Sequence, residues 1–159
     1  MKSIFKSIVA GAALAIGVGS VAIAGTPDPV VGTWHLNVAK STFKPGPALK
    51  SQTRVYTESE DGISLTTTST DADGKESTTT LTFKYDGKSN PASGSADYDS
   101  VSVTRVNALT VHSQQFKAGK PVGKAERLLS KDGKTLTFKQ HGTHANGVKY
   151  DDVLVYVKQ

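Results

Sequence analysis

Val30-Val31-Gly32-Thr33-Trp34-His35-Leu36-Asn37-Val38 is the stretch on which the fold turns, and it holds the only tryptophan of the chain. Val30, Gly32, Trp34, Leu36 and Val38 share one parity, and Val31, Thr33, His35 and Asn37 share the other. Alternate side chains of a strand face opposite ways. One face is therefore apolar throughout and the other mostly polar, which predicts a half-buried strand with Trp34 pointing inward.

Downstream the same alternation recurs. Strand-like runs cover about Ser51–Glu58, Ile63–Thr70, Ser77–Tyr85, Ser100–Val106, Leu109–Phe116, Val122–Ser130, Thr135–Gly142 and Lys149–Val157. Threonine, valine, tyrosine and phenylalanine dominate them, as a pleated half-buried surface favours. Leu81, Phe83 and Tyr85 oppose Thr80, Thr82 and Lys84; Leu136 and Phe138 oppose Thr135, Thr137 and Lys139. Between the runs stand Asp61-Gly62, Asp73-Gly74, Asp86-Gly87, Asp132-Gly133 and Asn146-Gly147. Such dipeptides supply the positive backbone torsions of two-residue hairpins. Nine strands joined this way predict an all-β, antiparallel, up-and-down barrel of about 8–10 strands, which removes exposed edges. A Greek-key sandwich would need longer crossings, and only Lys88–Asp99 and the loop around Phe43 offer the length. Ala39–Pro47 is broken by its prolines and Gly46, leaving room for a helical turn near Ser41–Phe43.

The inward face changes character along several strands. Thr67 and Ser69 follow Ile63 and Leu65, Ser113 and Gln115 follow Leu109 and Val111, and Gln140 follows Phe138. Buried polar atoms without partners cost about 1–3 kcal/mol each, so a solid core would seldom repeat the pattern. A barrel with a dry floor and a wet upper half produces it, as do strands that run past the core into solvent.

The first 24 residues stand apart from this pattern. Lys2 and Lys6 precede an apolar, small-residue run from Ile8 to Ile23, and Ala22-Ile23-Ala24 has a small-x-small pattern. This is the form of a secretory signal peptide, too short and glycine-rich for a good membrane span. We therefore expect residues 1–24 to be a signal peptide and 25–159 a single domain, periplasmic or secreted, with no membrane span in the mature chain. Its roughly 135 residues suffice for one core without staples, and there is no cysteine to supply a disulfide. Loss of Lys2 and Lys6 lowers the formal charge from +5 to +3. The remaining lysines are scattered without a run or aromatic interleaving, which argues against nucleic acid as a partner.

With Gly32-Thr33-Trp34 opening a string of hairpins, the chain resembles the calycin group of lipocalins and intracellular fatty-acid-binding proteins. Val-Gly-Thr-Trp-His-Leu looks most like the first strand of the fatty-acid-binding branch. The resemblance implies that Trp34 packs across the closed end of a ligand-holding barrel. Two departures qualify it. Ala39–Ala48 is too short for the helix pair typical of that branch. The arginine-x-tyrosine pair that holds a carboxylate there meets Leu154-Val155-Tyr156 here, so Tyr156 fits but Leu154 replaces the arginine. Avidin-like barrels use several tryptophans, and Trp34 is single.

Chemistry-bearing constellations are sparse. Parity turns His35, His112 and His141 outward, and His144 falls in a turn; His141 and His144 near Asp151 and Asp152 lack a third metal ligand at firm spacing. There is no Gly-x-Ser-x-Gly elbow, and turn chemistry accounts for most aspartates. No cofactor or catalytic set is expected. Trp34, Phe43, Phe83, Tyr85, Phe138 and Tyr156 are the expected shapers of the interior or its mouth. Arg105, in phase with Val101 and Val103, is either an inward anion contact or a strand-end cation with its head in water. Arg54 and Arg127 are candidates for stacking on Trp34. The sequence thus predicts a non-enzymatic carrier of a small apolar or amphipathic molecule. The alternative is a solid-cored barrel that binds or inhibits another envelope or extracellular protein.

Overall fold

A computed structural model describes residues 26–159; the expected signal peptide lies outside them. Ten strands form one closed antiparallel barrel in which every sequence neighbour is a spatial neighbour. They are β1 (Gly32–Leu36), β2 (Ser51–Ser59), β3 (Gly62–Thr70), β4 (Glu76–Phe83), β5 (Asp86–Ser93), β6 (Ser100–Arg105), β7 (Thr110–Lys117), β8 (Lys120–Leu129), β9 (Thr135–Thr143) and β10 (Lys149–Lys158). Closure comes from β1, which pairs with β2 through Trp34↔Arg54 and with β10 through Trp34↔Lys158. Among the described residues no helix is long and apolar enough to cross a membrane.

Two local expectations are corrected. The helical turn is a 3-10 turn at Val38–Lys40, capped by the Asn37 side chain accepting from the Lys40 amide, not a turn at Ser41–Phe43. The segment after Tyr85 is a strand, β5, and raises the count from nine to ten. Its sequence, Asp-Gly-Lys-Ser-Asn-Pro-Ala-Ser, shows no apolar alternation, and Pro91 cannot donate to a ladder. Asp86-Gly87 is accordingly not a hairpin turn. It lies inside β5, where Gly87 takes φ 75° and the register with β6 shifts between Asp86 and Ser89. The β4–β5 ladder is correspondingly brief, formed at Thr80↔Ser93 and Leu81↔Ala92.

One end of the barrel is plugged. Val30, Trp34 and Leu136 are almost wholly buried there, with Ile63 and Leu129 close behind. Trp34 Nε1 donates to the Val30 carbonyl at 2.8 Å, so the indole's polar atom is satisfied within its own leader. The cation over the indole is Lys158, whose Nζ is 5.2 Å from the ring, and neither Arg54 nor Arg127 takes that place. Asp28 straps the leader down: it pairs with Arg105, accepts from the Val30 amide, and its own amide donates to Glu58. Gly62 permits the tight β2–β3 turn, with φ 127° and room for no Cβ, which would lie 2.3 Å from the Phe83 carbonyl oxygen.

Candidate functional site

The interior above this plug is a cavity of about 350 Å³ that opens at the other end. That volume falls at the small end of ligand sites, about 300–1,000 Å³. Successive inward positions of each strand run from floor to mouth. Strand β3 contributes Ile63, then Leu65, Thr67 and Ser69; β4 contributes Phe83, Leu81, Thr79 and Ser77. From β7 come Val111, Ser113 and Gln115, and from β9 Phe138 and Gln140. The apolar-to-polar change read along the strands is therefore a gradient within one cavity, not strands leaving the core.

The expected site residues divide. Phe43, on the β1–β2 loop, lines the cavity with Pro47 and Leu49 of the same loop; Phe83 and Phe138 line its wall. Trp34 lies outside the lining, in the plug. Tyr156 is fully buried behind the wall, its ring edge-on to Phe138 at 5.8 Å and its hydroxyl donating to Gln52 Oε1. Burial pushes the Tyr156 phenol above its ordinary range. Tyr85 and Arg105 are on the outer side of the closed end, beside Asp28 and Pro29. Arg105 places its guanidinium carbon 3.9 Å from the Tyr85 ring centroid and pairs with Asp28, so it is the strand-end cation and not an inward anion contact.

The inward cations are Arg54 and Arg127. Arg54, on β2 between Gln52 and Tyr56, packs its guanidinium 3.9 Å from the Phe138 ring centroid and 5.2 Å from that of Tyr156. Its Nε and Nη1 make only long hydrogen bonds, 3.4 Å each, to Gln52 Oε1 and the Tyr56 hydroxyl. Burial disfavours the charge, but the Tyr156 and Tyr56 phenols outweigh it and the pKa rises above the arginine norm. Arg127, on β8, is 8% exposed; Nη2 donates to the Tyr85 hydroxyl at 3.1 Å, while buried Nε has no hydrogen-bond partner. Among the described residues neither guanidinium has a carboxylate partner. The signal for both was present as strand parity: Arg127 is in phase with Ala125 and Leu129, and Arg54 with Tyr56. Parity places a residue inward without saying at which depth, and depth separates plug from cavity.

The mouth is acidic and well satisfied. Asp97, in the β5–β6 loop, accepts from His144 Nδ1 at 2.8 Å and from the Ala145 amide at 2.8 Å. This clasp joins two loops on the rim, and the His144 ring stacks on Tyr150 at 4.5 Å. Tyr150 donates to Gln115 Oε1 at 2.9 Å; its pKa is pushed up to about 12 by burial first, then by Asp97, Tyr98 and Asp152. Gly123 and Gly142 make room for that phenol, since a Cβ on either would lie 2.7 Å from its oxygen. Asp152 accepts from the Lys44 amide at 2.9 Å and from Gln140 Nε2 at 3.3 Å. His144 is thus committed to Asp97, and His35, His112 and His141 are exposed on the outer surface. Among the described residues no group of three metal-capable side chains forms.

The architecture is a closed ten-strand antiparallel meander around a cavity open at one end. No protein-family model matches the chain, and no curated sequence does. Among solved structures, the chain is similar to zebrafish ileal bile acid-binding protein complexed with cholic acid. That likeness has a TM-score of 0.46 and 11% identity, over 82% of this chain and 99% of that one. It is also similar to the siderocalin Ex-FABP, described as functioning through dual ligand specificities, with a TM-score of 0.39 and 12% identity, over 82% of this chain and 74% of that one.

Proposed function

We propose that the protein is an exported, non-enzymatic carrier that holds one small amphipathic molecule inside the barrel, in the periplasm or outside the cell. The observation that carries this reading is the cavity, open at one end, whose apolar wall also bears Arg54 and Arg127. Burial of the ligand's apolar surface against Leu65, Leu81, Phe83, Val101 and Val111 supplies affinity at about 25 cal/mol per Å². The arginines and the ring of Gln52, Gln115 and Gln140 orient its polar end. Export rests on the leader pattern of residues 1–24.

Native mass spectrometry after gentle purification from the source organism tests the reading. The expected result is a mature chain beginning near Gly25 or Thr26 that carries a small-molecule adduct, released by organic solvent. A clean apo mass, together with no heat of binding across a panel of fatty acids, bile salts and quinones, would sink it. Trp34 fluorescence is a poor reporter, because the indole lies beneath the floor and off the cavity wall.

A further inference from the structure

Within the reading of the barrel as an amphiphile carrier, we infer that the polar end of its ligand is a doubly charged phosphomonoester seated between Arg54 and Arg127. Two guanidiniums line the cavity, and arginine does not lose its proton in proteins. Burying a charge without a partner is costly, yet among the described residues no carboxylate meets either one.

The nearby acids are engaged elsewhere. Both Asp97 oxygens are taken, by His144 and the Ala145 amide, and both Asp152 oxygens by the Lys44 amide and Gln140. Asp28, beyond Tyr85 at the closed end, is paired with Arg105. A monoanionic head would leave one cation uncompensated. A dianionic one matches both.

Hydrogen-bonding capacity points the same way. Arg127 Nε is buried with no acceptor, and the Arg54 donors reach only 3.4 Å contacts. Both side chains converge on Tyr56, Arg54 at its hydroxyl and Arg127 with its guanidinium carbon 5.6 Å from the ring centroid. The arginine fork suits phosphate oxygens, and a phosphomonoester offers three acceptors with a second pKa of about 6. Phe138 holds the face of Arg54, so its edge is left to the ligand. Asp97 and Asp152 on the rim disfavour an anionic head at the mouth. The head therefore sits at the two arginines, below the acidic rim, and the tail packs on the apolar wall beneath them at Leu65 and Leu81.

The test compares decyl phosphate, decyl sulfate and decanol by calorimetry on the mature protein. Phosphate and sulfate esters share shape and tail, but only the phosphate gains a second charge above a pKa of about 6. At about pH 8 decyl phosphate is expected to bind at least about tenfold more tightly than decyl sulfate, a difference of about 1.4 kcal/mol. Toward about pH 5 that ratio falls to near one as the phosphate becomes a monoanion. Asp97, Asp152, His144 and the inward tyrosines 56, 98 and 150 also face the cavity, and the sulfate ester controls for their titration. Arg54→Gln and Arg127→Gln are each expected to abolish the preference for phosphate over sulfate at about pH 8. The pH profile of the unaltered protein stands if a variant does not fold. Equal affinity for the two esters at about pH 8 overturns the dianion inference and leaves the carrier reading intact. Failure of all three compounds to bind overturns both.

Discussion

At the scale of single residues, the barrel interior sets stability against function. Arg127 is held with an unsatisfied Nε and no counter-charge. Replacing buried charge by an apolar side chain of similar volume is often neutral or stabilising, by about 1–4 kcal/mol. Arg127→Met is thus expected to raise the unfolding free energy of the ligand-free protein by about 1–3 kcal/mol in urea titration while removing ester binding. A destabilised variant would mean that the Tyr85 hydroxyl alone satisfies the guanidinium. Trp34 represents the opposite case. It fills the plug, bonds its own leader and touches no ligand, so Trp34→Ala costs about 3–5 kcal/mol by the same measurement.

Asp28 adds a pH dependence at this scale. Burial alone would raise its pKa; the Val30 amide and then Arg105 outweigh it, and the carboxyl titrates below its ordinary 3.8. A carboxyl with a lower pKa in the folded than in the unfolded state stabilises the fold above the unfolded value. That contribution is lost as pH falls through the folded value. Asp28→Asn is therefore expected to cost about 1–2 kcal/mol at neutral pH, with the gap to the parent chain closing below about pH 4 in denaturation curves. A gap that persists in acid would show that the strap works by shape and not by charge.

At the scale of elements, β5 is the weak stave. It meets β4 at Thr80↔Ser93 and Leu81↔Ala92, breaks register against β6, and contains Pro91. On the other side of the barrel, β9 and β10 run in unbroken register from Lys149↔Thr143 to Val157↔Thr135. Local opening free energy follows the density of such pairing. Hydrogen exchange is expected to label Asp86–Ser93 orders of magnitude faster than Leu136–Gln140 and Asp152–Tyr156. Uniform protection around the barrel would contradict this. The same weakness explains why β5 was invisible in sequence: a strand with no apolar periodicity carries no period-two signal. Its neighbours place it, and its own residues do not.

For the whole molecule, the mouth is spanned by a short strap instead of a helical lid. The Asp97–His144 pair ties the β5–β6 loop to the β9–β10 hairpin beside the cavity opening, and the loop carrying Phe43 and Leu49 covers another side. Both partners are partly exposed, so the clasp contributes little to global stability. Its effect belongs to exchange. Asp97→Ala is expected to leave the unfolding midpoint free energy within about 0.5 kcal/mol, while dissociation of decyl phosphate, followed by stopped flow, speeds up severalfold. Unchanged dissociation would place the exit elsewhere on the rim.

Sequence alone determined the class of architecture and the character of the two faces. Alternation around Trp34, Leu81–Tyr85 and Leu136–Phe138, with Asp-Gly and Asn-Gly turns between, dictates antiparallel hairpins because side-chain direction in a strand is a local, two-residue property. It also put Thr67, Ser69, Ser113, Gln115 and Gln140 on the inner face, where the structure has them. Tertiary structure alone decided depth. Trp34, Arg54 and Arg127 are all inward by parity, yet one is plug and two are cavity wall. Arg105 shares the parity of Val103 and still lies outside, because its strand ends there and Asp28 pairs with it at the closed end. Position along the barrel axis depends on strand stagger and on contacts between residues 77 or more positions apart in sequence, such as Asp28 and Arg105. No local pattern encodes those distances, so the reach from a face to a site had to come from the closed barrel.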